Sequence, residues 1–258
     1  MYNIDRVWAV EKIIKMLKSD YRLAGYRDMK QMFFLIHNEK KEEIESIILK
    51  CFYEADNDLV KMGAYALTEM YILRNRFREV IENVKNLNEE QVKYILEMGI
   101  IYFKEENYNE LVKKLIMKYM VLDLDLEFPI CIIFYDNLVH IERDRAFLME
   151  LVSFKSSKKI VSAFVHYLEK SNQSIIAYKE VIFTMSYNII ENNSDAEDYI
   201  YGLNEEISKL IIGLYDEVSQ EKDDEMKDIA NECLRIWDLM FEKRIGAARI
   251  LTLKMLDR

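Results

Sequence analysis

Apolar and polar side chains alternate along this chain with the period of an α-helix. Between Asp223 and Met240 the apolar residues fall on one helical stripe, and aspartate, asparagine and arginine fall on the opposite stripe. This spacing predicts an amphipathic helix with one buried and one solvated face. Asp223, Asp224 and Glu225 stand at its start, where the helix dipole favours negative charge.

The same period recurs through most of the chain, and short polar clusters separate the apolar runs. Several clusters contain residue types that cap helix N-termini, for example Asn88, Asn107, Ser157 and Asn204. With ends uncertain by about two to four residues, the pattern predicts helices near 4–18, 22–37, 40–54, 57–73, 76–85, 89–104, 108–120, 129–141, 143–154, 157–170, 173–191, 203–218, 223–241 and 244–257.

A different pattern interrupts the helical period in the segment 121–128. There leucine or phenylalanine alternates with aspartate or glutamate, which is the period of a β-strand. Pro129, the only proline in the sequence, disfavours helical geometry at Phe128 and suits the first position of a new helix. We therefore expect an extended connection, with a short β element as the alternative, between two helical halves at 1–122 and 128–258.

Composition narrows the fold class to all-α. The 258 residues include six glycines and one proline. Rossmann sheets and P-loop enzymes need glycine for turns and phosphate-binding loops, and β-sandwiches need many turn residues. Because short loops make successive helices antiparallel neighbours, we predict a single domain, 1–258, built as an α-solenoid of roughly six or seven stacked antiparallel helix pairs.

Cysteine and histidine form no recognisable catalytic or metal-binding motif. Cys51, Cys131 and Cys233 are far apart and have apolar sequence neighbours, which favours buried free thiols in a reducing cytosol. None of the histidines has a second histidine or cysteine at metal-ligand spacing. They are His37, His140 and His166. We therefore predict no catalytic residue, no bound cofactor and no metal.

Two other groups of polar residues contain side chains of the types found in metal-binding or catalytic sites. Asp123, Asp125 and Glu127 would point the same way along an extended segment, and clustered carboxylates can bind Mg²⁺ or Ca²⁺. Leucines intervene and no glycine follows, so we expect an acidic outer edge instead. The run His140–Arg145 combines an imidazole with both charge signs, which at a helix junction indicates a solvated ion-pair cluster.

Two basic clusters stand out because the chain as a whole is acidic. It has 36 Lys and Arg residues against 46 Asp and Glu residues, a formal net charge of −10. One cluster surrounds Phe77, and the other lies at a predicted helix N-terminus, which favours anions. Each is a candidate anion or partner contact, the alternative being ordinary solvated charge. They are the arginine cluster, Arg74, Arg76 and Arg78, and the lysine cluster, Lys155, Lys158 and Lys159.

The segment Asp56–Leu67 resembles the start of the second helix in HEAT-type repeats. An acidic turn precedes Val60, Lys61 and a run of small residues that lets neighbouring helices approach closely. Weaker resemblances to the same pattern occur at 172–179 and 223–234, and the spacing between the three segments is not constant. The resemblance implies a degenerate HEAT or armadillo array with a concave binding face.

The segment 230–249 looks like the closing helices of the C-terminal helical arrays in bacterial STAND-type signalling NTPases. In those defence proteins the array is the sensor. The rest of the sequence contains nothing that resembles the NTPase core. The resemblance therefore implies a sensor fragment or a separate subunit.

These patterns favour a non-catalytic, cytoplasmic protein-interaction or ligand-sensing module. Its expected partner is another protein or the rest of a larger multidomain assembly, and neither nucleic acid nor a membrane. No apolar stretch reaches the length of about 18 residues that a transmembrane helix needs. The alternative is a HEAT-like DNA glycosylase or another enzyme that acts on nucleic acid. Such enzymes depend on a basic concave face with tryptophans, whereas Trp8 and Trp237 lie at opposite ends of this acidic sequence.

Overall fold

Helices account for all regular structure in the described part of this protein, which we analysed as a computed structural model. Eleven α-helices, three short 3₁₀ helices and no strand occur within that part. The predicted all-α class is therefore confirmed there. The chain divides between Leu124 and Asp125 into two compact units. The structure describes residues 41–70, 73–122, 125, 127–192, 200–221 and 223–242.

Some predicted features lie outside the described residues. These are the helices near 4–18, 22–37 and 244–257, and the residues Trp8, His37 and Asp123.

The first unit contains five described α-helices. A 3₁₀ helix follows α3 at Val84–Asn86, and another follows α4 at Ile100–Lys104. The α-helices are α1 (Lys41–Phe52), α2 (Asn57–Glu69), α3 (Arg74–Glu82), α4 (Glu89–Gly99) and α5 (Glu106–Val121).

The second unit contains six described α-helices, with a 3₁₀ helix at Ile175–Tyr178 before the fourth of them. They are α6 (Glu127–Tyr135), α7 (Ile141–Phe154), α8 (Lys158–Lys170), α9 (Lys179–Asn192), α10 (Ile200–Val218) and α11 (Asp224–Glu242).

Capping side chains fix where two helices of the first unit begin. Asp56 Oδ1 accepts hydrogen bonds from the backbone N–H groups of Asp58 and Leu59, at 3.0 and 3.3 Å, at the start of α2. Asn88 and Gln91 form a capping box at the start of α4, in which each side chain accepts the other's backbone N–H. These bonds satisfy N–H groups that have no partner inside the helix.

Gly63 allows α1 and α2 to cross closely. A Cβ atom at position 63 would lie 2.6 Å from the backbone nitrogen of Phe52, a distance that real Cβ atoms essentially never show. The neighbouring Ala64 and Ala66 are buried as well. The small residues of α2 therefore let two helix backbones approach each other.

Aromatic side chains fill the centre of the second unit. The ring of Phe164 lies 5.1 Å from that of Phe134 and 5.9 Å from that of Tyr178, measured between centroids. The hydroxyls of Tyr167 and Tyr178 are 2.8 Å apart, and Tyr178 donates to Gln173 Oε1 at 2.8 Å. Because these buried hydroxyls are hydrogen-bonded, the tyrosines can pack in the core without an unsatisfied polar group.

Within each unit, helices pack on their first or second neighbours along the chain. In the first unit α2 packs on α1, α3 and α4, and α5 packs on α3 and α4. In the second unit α6 packs on α8, α8 on α10, α7 on α9, and both α9 and α10 on α11. Inside either unit, no extensive contact joins described α-helices that are more than two positions apart in the chain.

Second-neighbour helices of the second unit run in the same direction. Near the starts of α7 and α9, Arg145 Nη1 lies 3.5 Å from Glu180 Oε2. Near their ends, Asn188 Nδ2 donates a hydrogen bond to the carbonyl oxygen of Ser153. The same arrangement joins α9 to α11 through two pairs: Lys179 with Glu225, and Tyr187 with Glu232.

The predicted extended connection over 121–128 is wrong at both ends. Val121 belongs to α5, and Phe128 is already helical because α6 begins at Glu127. Asp125 Oδ1 accepts the backbone N–H of Glu127 at 3.1 Å and so starts the helix two residues before Pro129. A proline is tolerated there, since N–H groups of the first turn have no partner inside the helix.

Candidate partner-binding surfaces

The arginine cluster lies on α3, and two of its members pair directly with glutamates. Arg76 Nε lies 3.2 Å from Glu45 Oε2, and its Nη1 lies 2.7 Å from Glu79 Oε2. Arg78 Nε lies 2.8 Å from Glu82 Oε1. Hydrogen bonds with these carboxylates are the main reason that the pKa of both arginines is raised. An external anion would therefore compete with carboxylates that are already in place.

The third member, Arg74, rests on an aromatic group of the core. Its guanidinium carbon lies 5.6 Å from the ring centroid of Tyr102, and its Nη2 lies 3.9 Å from Glu105 Oε1. The Tyr102 ring contacts those of Phe77 and Tyr108, with centroids 5.1 and 5.3 Å away. Phe77 is only 1% exposed, so it is a core residue and cannot anchor a partner.

The lysine cluster lies at the turn between α7 and α8, where it surrounds a carboxylate of the protein itself. Ser157 is the N-cap of α8, and its Oγ accepts the backbone N–H of Ile160 at 3.4 Å. Glu127, the first residue of α6, lies beside this terminus. Its Oε1 is 3.7 Å from Lys155 Nζ, and its Oε2 is 3.2 Å from Lys159 Nζ. The predicted anion position is therefore taken by Glu127.

The charged form of Glu127 is stabilised by its surroundings. A hydrogen bond from Ser157 is the largest cause of its lowered pKa, and Lys159 and Lys155 add to the effect, while partial burial opposes it. Lys158 is exposed and forms no ion pair within 4.0 Å among the described residues. One carboxylate thus lies in contact with two of the cluster's three ammonium groups.

An exposed aromatic side chain stands beside the lysine cluster. Phe154, the last residue of α7, is 58% exposed. Sequence reasoning did not find it, because Phe154 lies one heptad after the buried Phe147 and would be placed on the same buried face. It is exposed because the helix ends there. The adjacent Lys155 marks the start of a polar turn, and this could have indicated that the side chain of Phe154 is exposed.

The polar run after α6 differs from the predicted solvated cluster. Asp144 is fully buried, and its two carboxylate oxygens accept hydrogen bonds from Arg143 at 2.8 Å each. One of them also accepts the backbone N–H of His140 at 3.0 Å. The expectation of a solvated cluster is thus wrong for Asp144, since the carboxylate folds back over the start of α7. Arg145, by contrast, is partly exposed and pairs with Glu180.

The cysteines are free thiols. Cys51 and Cys233 are buried, and Cys131 is half-buried rather than buried as predicted. Burial raises the pKa of Cys131 to about 11 and that of Cys233 to about 12, which disfavours the reactive thiolate. No group of three or more histidine, cysteine or acidic side chains in the described ranges is placed to hold a metal ion.

No helix within the described residues is long and apolar enough to cross a membrane. Comparison with protein-family models, with curated proteins and with solved structures finds no match.

Proposed function

We propose that this chain is a non-catalytic α-solenoid that binds another protein or another part of a larger assembly. The observation that carries the proposal is the restriction of extensive helix packing to first and second neighbours along the chain. In solenoid proteins each repeat contacts only adjacent repeats, which leaves a continuous face available for a partner. The co-directional packing of α7 with α9 and of α9 with α11 supports the same arrangement.

A HEAT-like or armadillo-like repeat is the form of solenoid that we propose, with roughly six or seven helix pairs. The close crossing of α1 and α2 at Gly63 supports it, because this glycine belongs to the segment that resembles HEAT repeats. A cytoplasmic sensor role in a bacterial defence or signalling assembly is part of the proposal. That part rests on the resemblance of residues 230–249 to STAND-type arrays.

The charge arrangement favours a protein partner over the alternative of a DNA glycosylase or another enzyme acting on nucleic acid. Binding to duplex DNA depends on Lys and Arg side chains that neutralise several phosphates. Every member of the arginine cluster has a glutamate within 4.0 Å, and Glu127 lies within 4.0 Å of two members of the lysine cluster. Phosphate binding at either cluster would first have to break these ion pairs.

Co-purification and an enzyme assay together test the proposed function. A tagged full-length chain, isolated from its native host, should elute in size-exclusion chromatography with another protein at a constant molar ratio. The same preparation should release no base from duplex DNA that carries an alkylated or deaminated base. Base release that disappears after the triple change Arg74→Glu, Arg76→Glu and Arg78→Glu would favour the enzyme instead.

A further inference from the structure

We propose that the exposed face of α6 is the docking site for a short amphipathic helix of a partner protein, and that a basic residue of this helix pairs with Asp136. The inference rests on the proposed function, because it assigns a surface and a partner chemistry to the interaction module. The surface consists of four neighbouring side chains at helical spacing, which we call the α6 stripe: Phe128, Cys131, Ile132 and Tyr135.

The α6 stripe is apolar where a surface helix is normally polar. After Glu127, every residue of α6 is aliphatic, aromatic or cysteine. The residues of the stripe are partly accessible to solvent, and Tyr135 is the most accessible with 44% exposure. A helix that packs on a core normally carries polar side chains on its opposite face, and α6 carries none there. The other half of the helix is buried and consists of Pro129, Ile130, Ile133 and Phe134.

Two other exposed apolar side chains of the second unit are isolated. Phe154 is the last residue of α7 and is followed directly by the exposed Lys155. Leu234 is 38% exposed on α11, where its neighbours one turn away include the exposed Asn231 and Asp238. Single exposed apolar residues are ordinary in soluble proteins, whereas contiguous apolar patches mark interaction surfaces. The α6 stripe is such a contiguous patch.

The most exposed member of the stripe is held in place by the neighbouring helix. The ring centroid of Tyr135 lies 5.5 Å from that of His166 on α8, and α6 packs on α8. An anchor that is already ordered loses less conformational entropy on binding, so more of the burial free energy appears as affinity. Tyr135 is therefore the expected main anchor.

The length of the α6 stripe suits a helix of the partner. Phe128 and Tyr135 are seven residues apart, which corresponds to two turns or about 10 Å along a helix. Helices that bind with one apolar face use anchors at i, i+3, i+4 and i+7, the same spacing as the stripe. Four side chains offer much less than the roughly 800 Å² per partner that a standard interface between two proteins buries. The site therefore fits one helical segment better than a second copy of this chain.

Charge at the two ends of the stripe favours a basic residue at one end of the partner helix. At the N-terminal end, Glu127 is already paired with Lys155 and Lys159. At the C-terminal end, Asp136 follows Tyr135 directly, is exposed and forms no ion pair within 4.0 Å with any described residue. The chain's net charge of −10 attracts a basic segment at longer range. A Lys or Arg beyond the apolar anchors would therefore lie over Asp136.

Fluorescence anisotropy with a defined probe tests the proposal. The probe is a labelled synthetic helix with leucines at i, i+3, i+4 and i+7 and two lysines at one end, titrated with the full-length chain. Binding should weaken about tenfold in Tyr135→Ser, because an aromatic anchor is lost. Binding should also weaken in Asp136→Lys, and a second probe with glutamates in place of the lysines should prefer Asp136→Lys to the unaltered chain.

Cys131 reports where the probe binds. Its thiol is half-buried within the stripe, whereas the thiols of Cys51 and Cys233 are buried. A saturating concentration of the lysine probe should slow the alkylation of Cys131 by N-ethylmaleimide several-fold, because the bound helix covers the thiol. Mass spectrometry of the digested chain measures this rate. Alkylation of Cys131 at an unchanged rate would show that the probe binds elsewhere and would refute the site.

Matched controls come from α11. Leu234→Ser removes an exposed apolar side chain, and Asp238→Lys reverses the charge of an exposed aspartate one turn later. Both variants should bind the probe like the unaltered chain. Circular dichroism should show that these two variants, Tyr135→Ser and Asp136→Lys keep their helical content, since each altered side chain is exposed.

Several results would overturn the proposal. These are no binding of the lysine probe, equal binding by Tyr135→Ser, or self-association of the chain in sedimentation equilibrium that Tyr135→Ser abolishes. The proposed function fails separately. If the protein partner found by co-purification still binds Tyr135→Ser and Asp136→Lys, the module interacts through another surface, and only the docking site is refuted.

Discussion

Single residues decide how closely the helices of this chain can approach. Gly63 and Gly213 both lie inside helices, but their surroundings differ. A Cβ atom at position 63 would meet the backbone of Phe52 at 2.6 Å, whereas one at position 213 would meet only Ile175 Cδ1 at 3.5 Å. The first glycine is therefore required by packing, and the second only lowers helix propensity.

The two glycines should respond in opposite directions to replacement by alanine. Gly63→Ala should lower the free energy of unfolding by about 1–3 kcal/mol, because the backbone of Phe52 must move. Gly213→Ala should raise it by about 0.5–1 kcal/mol, because alanine favours the helix. Urea denaturation of each variant measures both effects. Equal stability of Gly63→Ala and the unaltered chain would contradict the close crossing of α1 and α2.

Trp237 offers a second test at the residue scale. It is 6% exposed on α11, and its Nε1 has no hydrogen-bond partner among the described residues. Trp237→Ala should cost about 3–5 kcal/mol of stability by leaving a large cavity. Trp237→Phe should cost less than about 1.5 kcal/mol, because most of the ring volume remains. Thermal denaturation followed by circular dichroism distinguishes the two.

A different outcome would show that Trp237 binds a partner instead of filling the core. If Trp237→Ala keeps the melting temperature of the unaltered chain but no longer binds a partner, Trp237 is an interface anchor and not a core residue.

At the scale of elements, Glu127 connects the start of α6 to the turn before α8. Its lowered pKa means that the folded state favours the carboxylate more than the unfolded state does. The resulting stabilisation is complete above the unfolded pKa of about 4.3 and disappears as the pH falls through the lower, folded pKa.

Glu127→Gln should therefore destabilise the chain by about 1 kcal/mol at pH 7. The difference from the unaltered chain should shrink as the pH falls below about 4 and vanish once Glu127 is protonated in both states. Urea denaturation over a pH series measures this. A difference that stays constant down to pH 3 would mean that the charge of Glu127 contributes nothing.

The helices could be predicted from sequence wherever the start of an apolar stripe directly follows a capping residue. For α4 and α11 the predicted starts, 89 and 223, match the structure within one residue. The predicted start of α10, at 203, is three residues late, because Asn204 resembles an N-cap but lies inside the helix. Local sequence does not reveal that helix formation has already begun at Ile200.

The candidate site was predictable only in part. Both basic clusters are visible as local runs of Lys and Arg, and Arg76 and Arg78 have glutamates three and four residues later in α3 that sequence spacing can indicate. The other ion pairs are not local: Glu127 meets Lys155 where α6 packs on α8, and Arg76 of α3 also meets Glu45 of α1. A sequence pattern cannot show this second kind of neutralisation, since the partners belong to different elements of the chain.

At the scale of the whole molecule, net charge determines which polyanions can approach. With a net charge of −10 and most arginines of α3 paired, we expect no useful binding to duplex DNA at physiological salt. A gel shift at about 150 mM salt should show no complex at submicromolar protein. Submicromolar binding that is lost in the triple arginine-to-glutamate variant would contradict this expectation.

Packing between close neighbours also has a consequence during synthesis on the ribosome. The cross-helix hydrogen bonds of the second unit from Asn188 to Ser153 and from Lys179 to Glu225 join residues 35 and 46 positions apart. A ribosome that adds about 5–20 residues per second completes such a pair within seconds. The buried faces of these helices can therefore be covered before translation ends, which shortens the time in which the nascent chain could aggregate.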